Sequence, residues 1–329
     1  MDEYEKLLAN SKRDWENATD TNKLQKSMRR SISSSRWKLI LATLTTGLLI
    51  VPISYLLTFI YYAFGTSSTT LMDVASNTLY VTEPNTSLEE MEFDMEFTPF
   101  SMKLGFDQYK RIGEEDYIAN TYNLQFTLGS LSKKEVDTSL ERVGAKHPTE
   151  TNPWLTHPDN RNEIDNSREW KVLEGLPDET VAEAYISLND VVDVEEIEKL
   201  MPNVDIVWAA IDTGVEDKNL SKDGDVVSPI GYPIQLDQTY WSPFRDVASN
   251  EEAFIDILQF IVKHEELATE VSSAKNLALS ERIEYIEKNG VKTYAVVVTG
   301  PKQDLLGLKD LSVIRTLKIG EVKLWNWSH

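Results

Sequence analysis

Asp212-Thr213-Gly214, preceded by Ile211, has the form of the triplet used by paired-aspartate proteases. That chemistry needs two carboxylates about 3 Å apart sharing one proton. The triplet occurs once, so a second copy of the chain would have to supply the other carboxylate. It also precedes Glu216 and Asp217 in an acidic loop, where Asp-Thr-Gly is ordinary turn chemistry. Ser130-Leu131-Ser132-Lys133 fits the Ser-x-x-Lys pattern of acyl-transferring serine enzymes, but the companion Ser-Asp-Asn and Lys-Thr-Gly motifs are missing. A polar turn explains it more simply. His147 and His157 share a proline-rich stretch with Asp159 and Asp165, at a spacing that fits no standard metal cluster. Asp217, Asn219, Asp223 and Asp225 offer oxygens to Ca²⁺, yet Lys222 stands where an EF-hand loop needs glycine, and a solvated acidic loop is the plainer reading. No phosphate-binding glycine loop is present. With no cysteine in the chain, thiolate zinc sites and disulfides are excluded. The expectation is therefore no catalytic residue, no metal, no cofactor and no enzyme.

The elements around these motifs are set by one feature. Leu39 to Gly65 is an uncharged, mostly apolar run, long enough to span a bilayer as a helix at about 1.5 Å per residue. Lys23, Lys26, Arg29, Arg30, Arg36 and Lys38 precede it with no intervening acid, and the next cation is Lys103. Cation-rich flanks stay in the cytoplasm, so the amino terminus is expected inside and the carboxy terminus outside. Residues 1–38 carry nine basic and six acidic groups, whereas the rest of the chain carries 24 basic and 48 acidic. That acidity argues against direct nucleic-acid binding by the outer part. Two other readings of the run stay open. A cleaved leader, with Ala63-Phe64-Gly65 as its faint processing site, would have an apolar stretch of only about 7–15 residues. A buried globular helix is disfavoured by Pro52, which membrane helices tolerate better. Trp37 at the inner edge and Tyr55, Tyr61 and Tyr62 in the outer half suit membrane interfaces.

Residues 1–20 read as a short amphipathic helix. Asp2 and Glu5 resemble a capping box, and Tyr4, Leu7, Leu8 and Trp15 fall on one stripe. A second helical stretch with Leu24, Met28 and Ile32 leads towards the membrane. A segment of this size is too small for its own core, so the stripe needs a surface: a protein groove, the anionic inner leaflet, or none if the segment is a disordered leader.

Beyond the run an α+β fold class is expected. Met91-Glu92-Phe93-Asp94-Met95-Glu96-Phe97 alternates apolar and acidic, and Tyr122, Leu124, Phe126 and Leu128 repeat the alternation. Leu79-Tyr80-Val81 is a shorter strand candidate. These make residues 66–150 a β-rich, antiparallel membrane-proximal region, followed by a linker over 151–180 marked by Pro153, Pro158 and Pro177. Residues 181–329 then read as a mixed α/β domain. Strands are expected at Val181–Leu188, Val204–Ile211, Val291–Thr299 and Leu311–Ile319. A helix at Val194, Ile197 and Leu200 stops at Pro202. A loop of about 38 residues holds Gly231-Tyr232-Pro233. A helix capped by Ser249 and Glu252 follows, with core residues Phe254, Ile257, Leu258 and Ile261. Another runs around Glu281–Lys288 to Asn289-Gly290, and Pro301 opens a last one. Tyr185, Leu188, Ile197 and Val204 match Tyr294, Val297, Leu306 and Val313 at a constant offset, which suggests two strand–helix–strand copies in a four-stranded α/β plait with a helical insertion.

Several pieces together resemble a known family. They are Leu24-Gln25-Lys26-Ser27-Met28-Arg29-Arg30 with the apolar run, Ala184-Tyr185-Ile186-Ser187-Leu188, Val207-Trp208-Ala209-Ala210-Ile211-Asp212-Thr213-Gly214, and Val296-Val297-Val298-Thr299-Gly300. In these and in their order the chain resembles the sigma factor regulators of Gram-positive bacteria, membrane-bound anti-sigma factors for extracytoplasmic-function sigma factors. The resemblance implies a cytoplasmic tail (1–38) that sequesters a sigma factor, a transmembrane helix (39–65), and an outer domain that senses or docks an envelope signal, with a second membrane or envelope protein as a further partner. Without cysteine the chain departs from zinc-containing anti-sigma factors, so inhibition would work by helix packing through Tyr4, Leu7, Leu8 and Trp15. The rival reading is a cell-surface interaction or scaffold protein with no transcriptional role.

Overall fold

The computed structural model describes residues 3–18, 21–64, 67–88, 94–140, 155–159, 167–216, 228–235, 237, 239, 242–272 and 274–327. The chain forms two compact units, Met1–Thr58 and Phe59–His329.

The first unit holds α1 (Glu3–Ala18) and most of α2 (Thr21–Phe64). The basic stretch and the apolar run are thus one continuous helix of 44 residues. At about 1.5 Å per residue it measures roughly 66 Å, about twice a bilayer's hydrocarbon thickness. It is long and apolar enough to cross a membrane, by length and composition. Pro52 lies inside it without ending it. Hydroxyls in the apolar part bond to the helix's own backbone: Thr43 to Leu39 O at 2.9 Å, Thr45 to Leu41 O at 2.8 Å, and Thr58 to Ser54 O at 2.8 Å. Such internal bonds satisfy hydroxyls that an apolar surround would otherwise leave without a partner.

The second unit begins in the last turns of α2. Helix α3 (Ser67–Thr82) follows, and its apolar residues are buried nearly all round. The strand expected at Leu79-Tyr80-Val81 is therefore helix. These residues have high strand propensity, but Leu71, Ala75, Thr78, Leu79 and Thr82 repeat at helical spacing, and a helix apolar on every side is stable only when enclosed.

The first sheet contains β1 (Ser87–Leu88), β2 (Asp94–Thr98), β3 (Ser101–Ile112), β4 (Glu115–Thr127) and β5 (Ser130–Thr138). The order is β1-β3-β4-β5, with β2 also on β3, and the pairs are antiparallel. Tyr122, Leu124 and Phe126 point inward as their alternation predicts, whereas Leu128 lies in the turn beyond β4. Residues 91–93 of the expected acidic strand lie outside the described residues.

Helix α4 (Ser167–Gly175) buries Trp170 and Leu173 within the stretch read as linker. The second sheet is built from β6 (Thr180–Val192), β7 (Asp205–Ile211), β8 (Gly231–Pro233), β9 (Thr293–Pro301) and β10 (Ile314–Leu324), in the order β10-β6-β9-β7-β8. Helix α5 (Val194–Leu200) joins β6 to β7, and α9 (Lys302–Gly307) joins β9 to β10. Each pair is split by a strand of the other, which is the α/β plait. The insertion is α6 (Asn250–Ile261), α7 (Glu265–Ser272) and α8 (Leu279–Asn289). Ser249 caps α6 by accepting from Glu252 N, and α8 stops at Gly290 with φ 77°. Gly231-Tyr232-Pro233, expected in a loop, is the edge strand β8. Of the repeat matches, Tyr185 and Tyr294 share one face, and Ile197, Leu306, Val204 and Val313 join the main core. Leu188 and Val297 face opposite sides of the sheet.

One core draws on α3, β3, β4, α4, α6, α8 and the second sheet. Residues 66–150 and 181–329 thus contribute to a common interior. The other face of the second sheet is covered around Trp208, Tyr185 and Tyr294, with Leu155 among them. Coverage on both faces explains why β7 and β9 read as continuous apolar runs and not as alternations.

Candidate partner-binding surface

Helix α1 turns by about 100° per residue, which places Tyr4, Leu7, Leu8 and Trp15 in one arc of about 100°, with Lys6 and Arg13 roughly opposite in sequence position. Glu3 and Glu5 lie in the first turn, where carboxylates favour the positive end of the helix dipole. Asp2, the expected cap, lies outside the described residues. Tyr4, Leu7, Leu8 and Trp15 are 70%, 66%, 50% and 73% exposed, so the structure holds all four on one exposed face. Burying each large apolar side chain against a partner is worth about 1.5–3 kcal/mol. Farther along, Met28 and Ile32 of α2 are also exposed.

The motifs that suggested enzyme chemistry are engaged in structural hydrogen bonds. Asp212 directly follows β7 and accepts from Gly214 N at 3.1 Å and from the Tyr285 hydroxyl at 2.9 Å, with His157 Nε2 at 3.6 Å. Burial opposes its ionisation, but His157, the Gly214 N–H and Tyr285 together hold its carboxyl below the usual range. Gly214 has φ 78° and no room for a Cβ beside the Tyr285 ring, so the triplet is a turn. Thr213 donates both its N–H and hydroxyl to Glu216, which receives Arg282 Nη1 at 2.5 Å. Arg282 also donates to the carbonyls of Leu277 and Ser228 at 2.8 Å each, so the buried charges are closed on themselves. Arg282 escaped the sequence reading, although its spacing from Leu279 and Ile286 marks it as a core position of α8.

Ser130 and Lys133 lie on β5. Lys133 pairs with Glu135 at 2.7 Å, and the Ser132 hydroxyl donates to Gln125 O at 2.9 Å. His157 is buried against the Tyr294 ring, and among the described residues no three His, Asp or Glu side chains gather as metal ligands. His147, Asp165 and the Asp217–Asp225 loop lie outside the described residues.

A second buried polar group ties the two sheets together. Lys110 of β3 donates to Glu183 of β6 at 3.1 Å and to the Tyr185 hydroxyl at 2.5 Å, and Asn85 Nδ2 reaches the same carboxylate at 2.9 Å. Burial works against the ammonium, yet the Glu183 carboxylate and Tyr185 raise the Lys110 pKa above its ordinary value. Burial pushes the Tyr185 hydroxyl up strongly. An open cleft of about 370 Å³ nearby is lined by Asn85, Ser87, Arg111, Asp116, Gln235 and Asp237. Its charges are already engaged: Arg111 forks onto Asp116 at 3.1 Å, and Asp237 accepts from the Tyr80 hydroxyl at 2.5 Å.

An exposed apolar stripe on α1 thus stands beside a second unit whose polar groups close on one another, and comparison with known proteins supplies the class. Residues 25–117 match the family described as sigma factor regulator N-terminal, and residues 173–321 match sigma factor regulator C-terminal. The chain is 29% identical over 293 residues to the probable anti-sigma-M factor YhdL of Bacillus subtilis (strain 168), covering 88% of this chain and 79% of that protein. No solved structure matches significantly. With both family parts matched in order, the protein belongs to the sigma factor regulator family. Helix α1 precedes the first residue of the family match.

Proposed function

We propose that this protein is a single-pass membrane anti-sigma factor whose α1 sequesters an extracytoplasmic-function sigma factor. The observation that carries the proposal is the exposed stripe of Tyr4, Leu7, Leu8 and Trp15, set before a helix with the length and composition of a membrane span. The cations from Lys23 to Lys38 put α1 in the cytoplasm and the second unit outside. The name of the B. subtilis relative supports a sigma factor of the sigma-M kind as partner. The second unit, with its closed polar networks, serves as the sensing or docking part, and a second envelope protein is a natural source of the signal.

The test places a photo-crosslinking residue at Leu8 in the full chain in its own cell. A sigma factor is the expected adduct, and Leu7→Asp should abolish it and raise expression of that factor's genes. Crosslinks to lipid alone, or unchanged expression in a Leu7→Asp Leu8→Asp variant, would overturn the assignment in favour of a surface scaffold.

A further inference from the structure

Two hairpin turns of the first sheet lie beside the outer end of α2. Within the second unit, Phe59 packs edge-on against Phe97 with ring centroids 5.9 Å apart, and the Tyr62 hydroxyl donates to Phe126 O at 3.1 Å. The Tyr61 hydroxyl is 3.3 Å from the place of a Cβ on Gly129. One turn joins β2 to β3 through Pro99 and Phe100, and the other joins β4 to β5 through Leu128 and Gly129. They are neighbours: Leu128 N donates to Phe100 O at 3.3 Å, and the Ser101 and Thr127 hydroxyls share a hydrogen bond of 2.9 Å.

The residues at these turns run against local preference. Phe100 and Leu128 have φ 66° and 51°, a region that favours glycine or asparagine. Both are large and apolar, and they are 53% and 64% exposed. No charged residue occurs in 97–102 or 117–132, although 26% of the whole chain is charged. On the adjoining turns of α2, Ile60, Tyr61 and Phe64 are also apolar and exposed, with the Tyr61 hydroxyl beside Gly129.

We propose that these two turns dip into the outer headgroup region of the bilayer crossed by α2, with Phe100 and Leu128 as the lipid-contacting residues. The inference rests on the membrane-anchored reading above. The packing of both turns against Phe59, Tyr61 and Tyr62 at the end of the apolar helix names the occupant, because the surface beside a membrane helix where it leaves the hydrocarbon is lipid. The contact is apolar, so it depends little on salt despite the acidity of the second unit. It ties the second unit to the lipid surface at a point beside the helix.

The absence of cysteine makes single-site labelling unambiguous. The full chain, carrying one environment-sensitive fluorophore at Leu128→Cys, is reconstituted in phosphatidylglycerol–phosphatidylethanolamine vesicles containing a headgroup-depth lipid quencher or, for the span, an acyl-chain-depth one. Ser130→Cys provides a second site that leaves the strained turn intact. Leu48→Cys reports on the span, and Ile118→Cys, at the far end of the β4 hairpin, is the water-exposed control. Blue-shifted emission and at least roughly twofold quenching at residues 128 and 130, but not at 118, is the expected result. Water-like emission at 128 and 130 with quenching at 48 overturns the inference and leaves the anchor standing, whereas no quenching at 48 removes the anchor too. A blue shift without lipid quenching means contact between copies and also overturns it.

Discussion

The two units treat apolar residues in opposite ways. In Met1–Thr58 the large apolar side chains stand exposed along both helices, while in Phe59–His329 they fill a common core and even the ions are paired inside it. Apolar surface without a core of its own demands an outside partner, and each helix of the first unit implies a different one. A narrow stripe with a charged opposite face fits a protein groove, and a helix apolar on all sides fits lipid. The second unit, by contrast, encloses its chemistry, and its most suggestive motif is a turn.

The sharpest test of this contrast is a change that destroys binding without touching the core. Leu7→Asp with Leu8→Asp should weaken sigma-factor binding by at least about a hundredfold, since each lost leucine contact is worth about 1.5–3 kcal/mol and 1.4 kcal/mol is a factor of ten. The melting temperature of the second unit should stay unchanged. The mirror experiment is Glu183→Ala, which strands Lys110 inside the fold and should cost about 3–5 kcal/mol in denaturant unfolding, with α1 binding intact. Removing both partners, Lys110→Met with Glu183→Leu, should recover much of that loss. Gly113→Ala is expected to cost about 1–3 kcal/mol, because φ there is 70° and a Cβ would collide with the Asn326 side chain. The smallest effect is a pH dependence. The Asp212 carboxyl is held below its ordinary 3.8, so its contribution is present above that pH and is lost as pH falls through the lower folded value. Asp212→Asn should flatten the acid limb of the stability profile, as followed by thermal melts between pH 2 and 5. An unchanged profile would show that the Asp212 turn is not part of the acid response.

Legibility differed between elements for physical reasons. The cap at Ser249 and the face of α6 were readable because a capping box and a helical period are local signals. Strand β3 was not, because Gln108 and Lys110 occupy inward positions and interrupt its alternation. Helix α3 was misread because full burial removes the polar face that marks a surface helix. The stripe on α1 was visible at once, whereas Arg282 was not, since a buried cation becomes intelligible only when Glu216 and Thr213 stand beside it.

The sequence alone determined the length and composition of the apolar run, the cations before it, the amphipathic stripe and the strand–helix–strand order. Each is a periodicity or a sum over neighbours in the chain. Tertiary structure alone decided that Asp212-Thr213-Gly214 is a turn, that Lys110 and Glu183 join the two sheets, and that Phe100 and Leu128 stand together at the end of α2. These depend on contacts between residues distant in sequence, and such contacts exist only after the chain has folded.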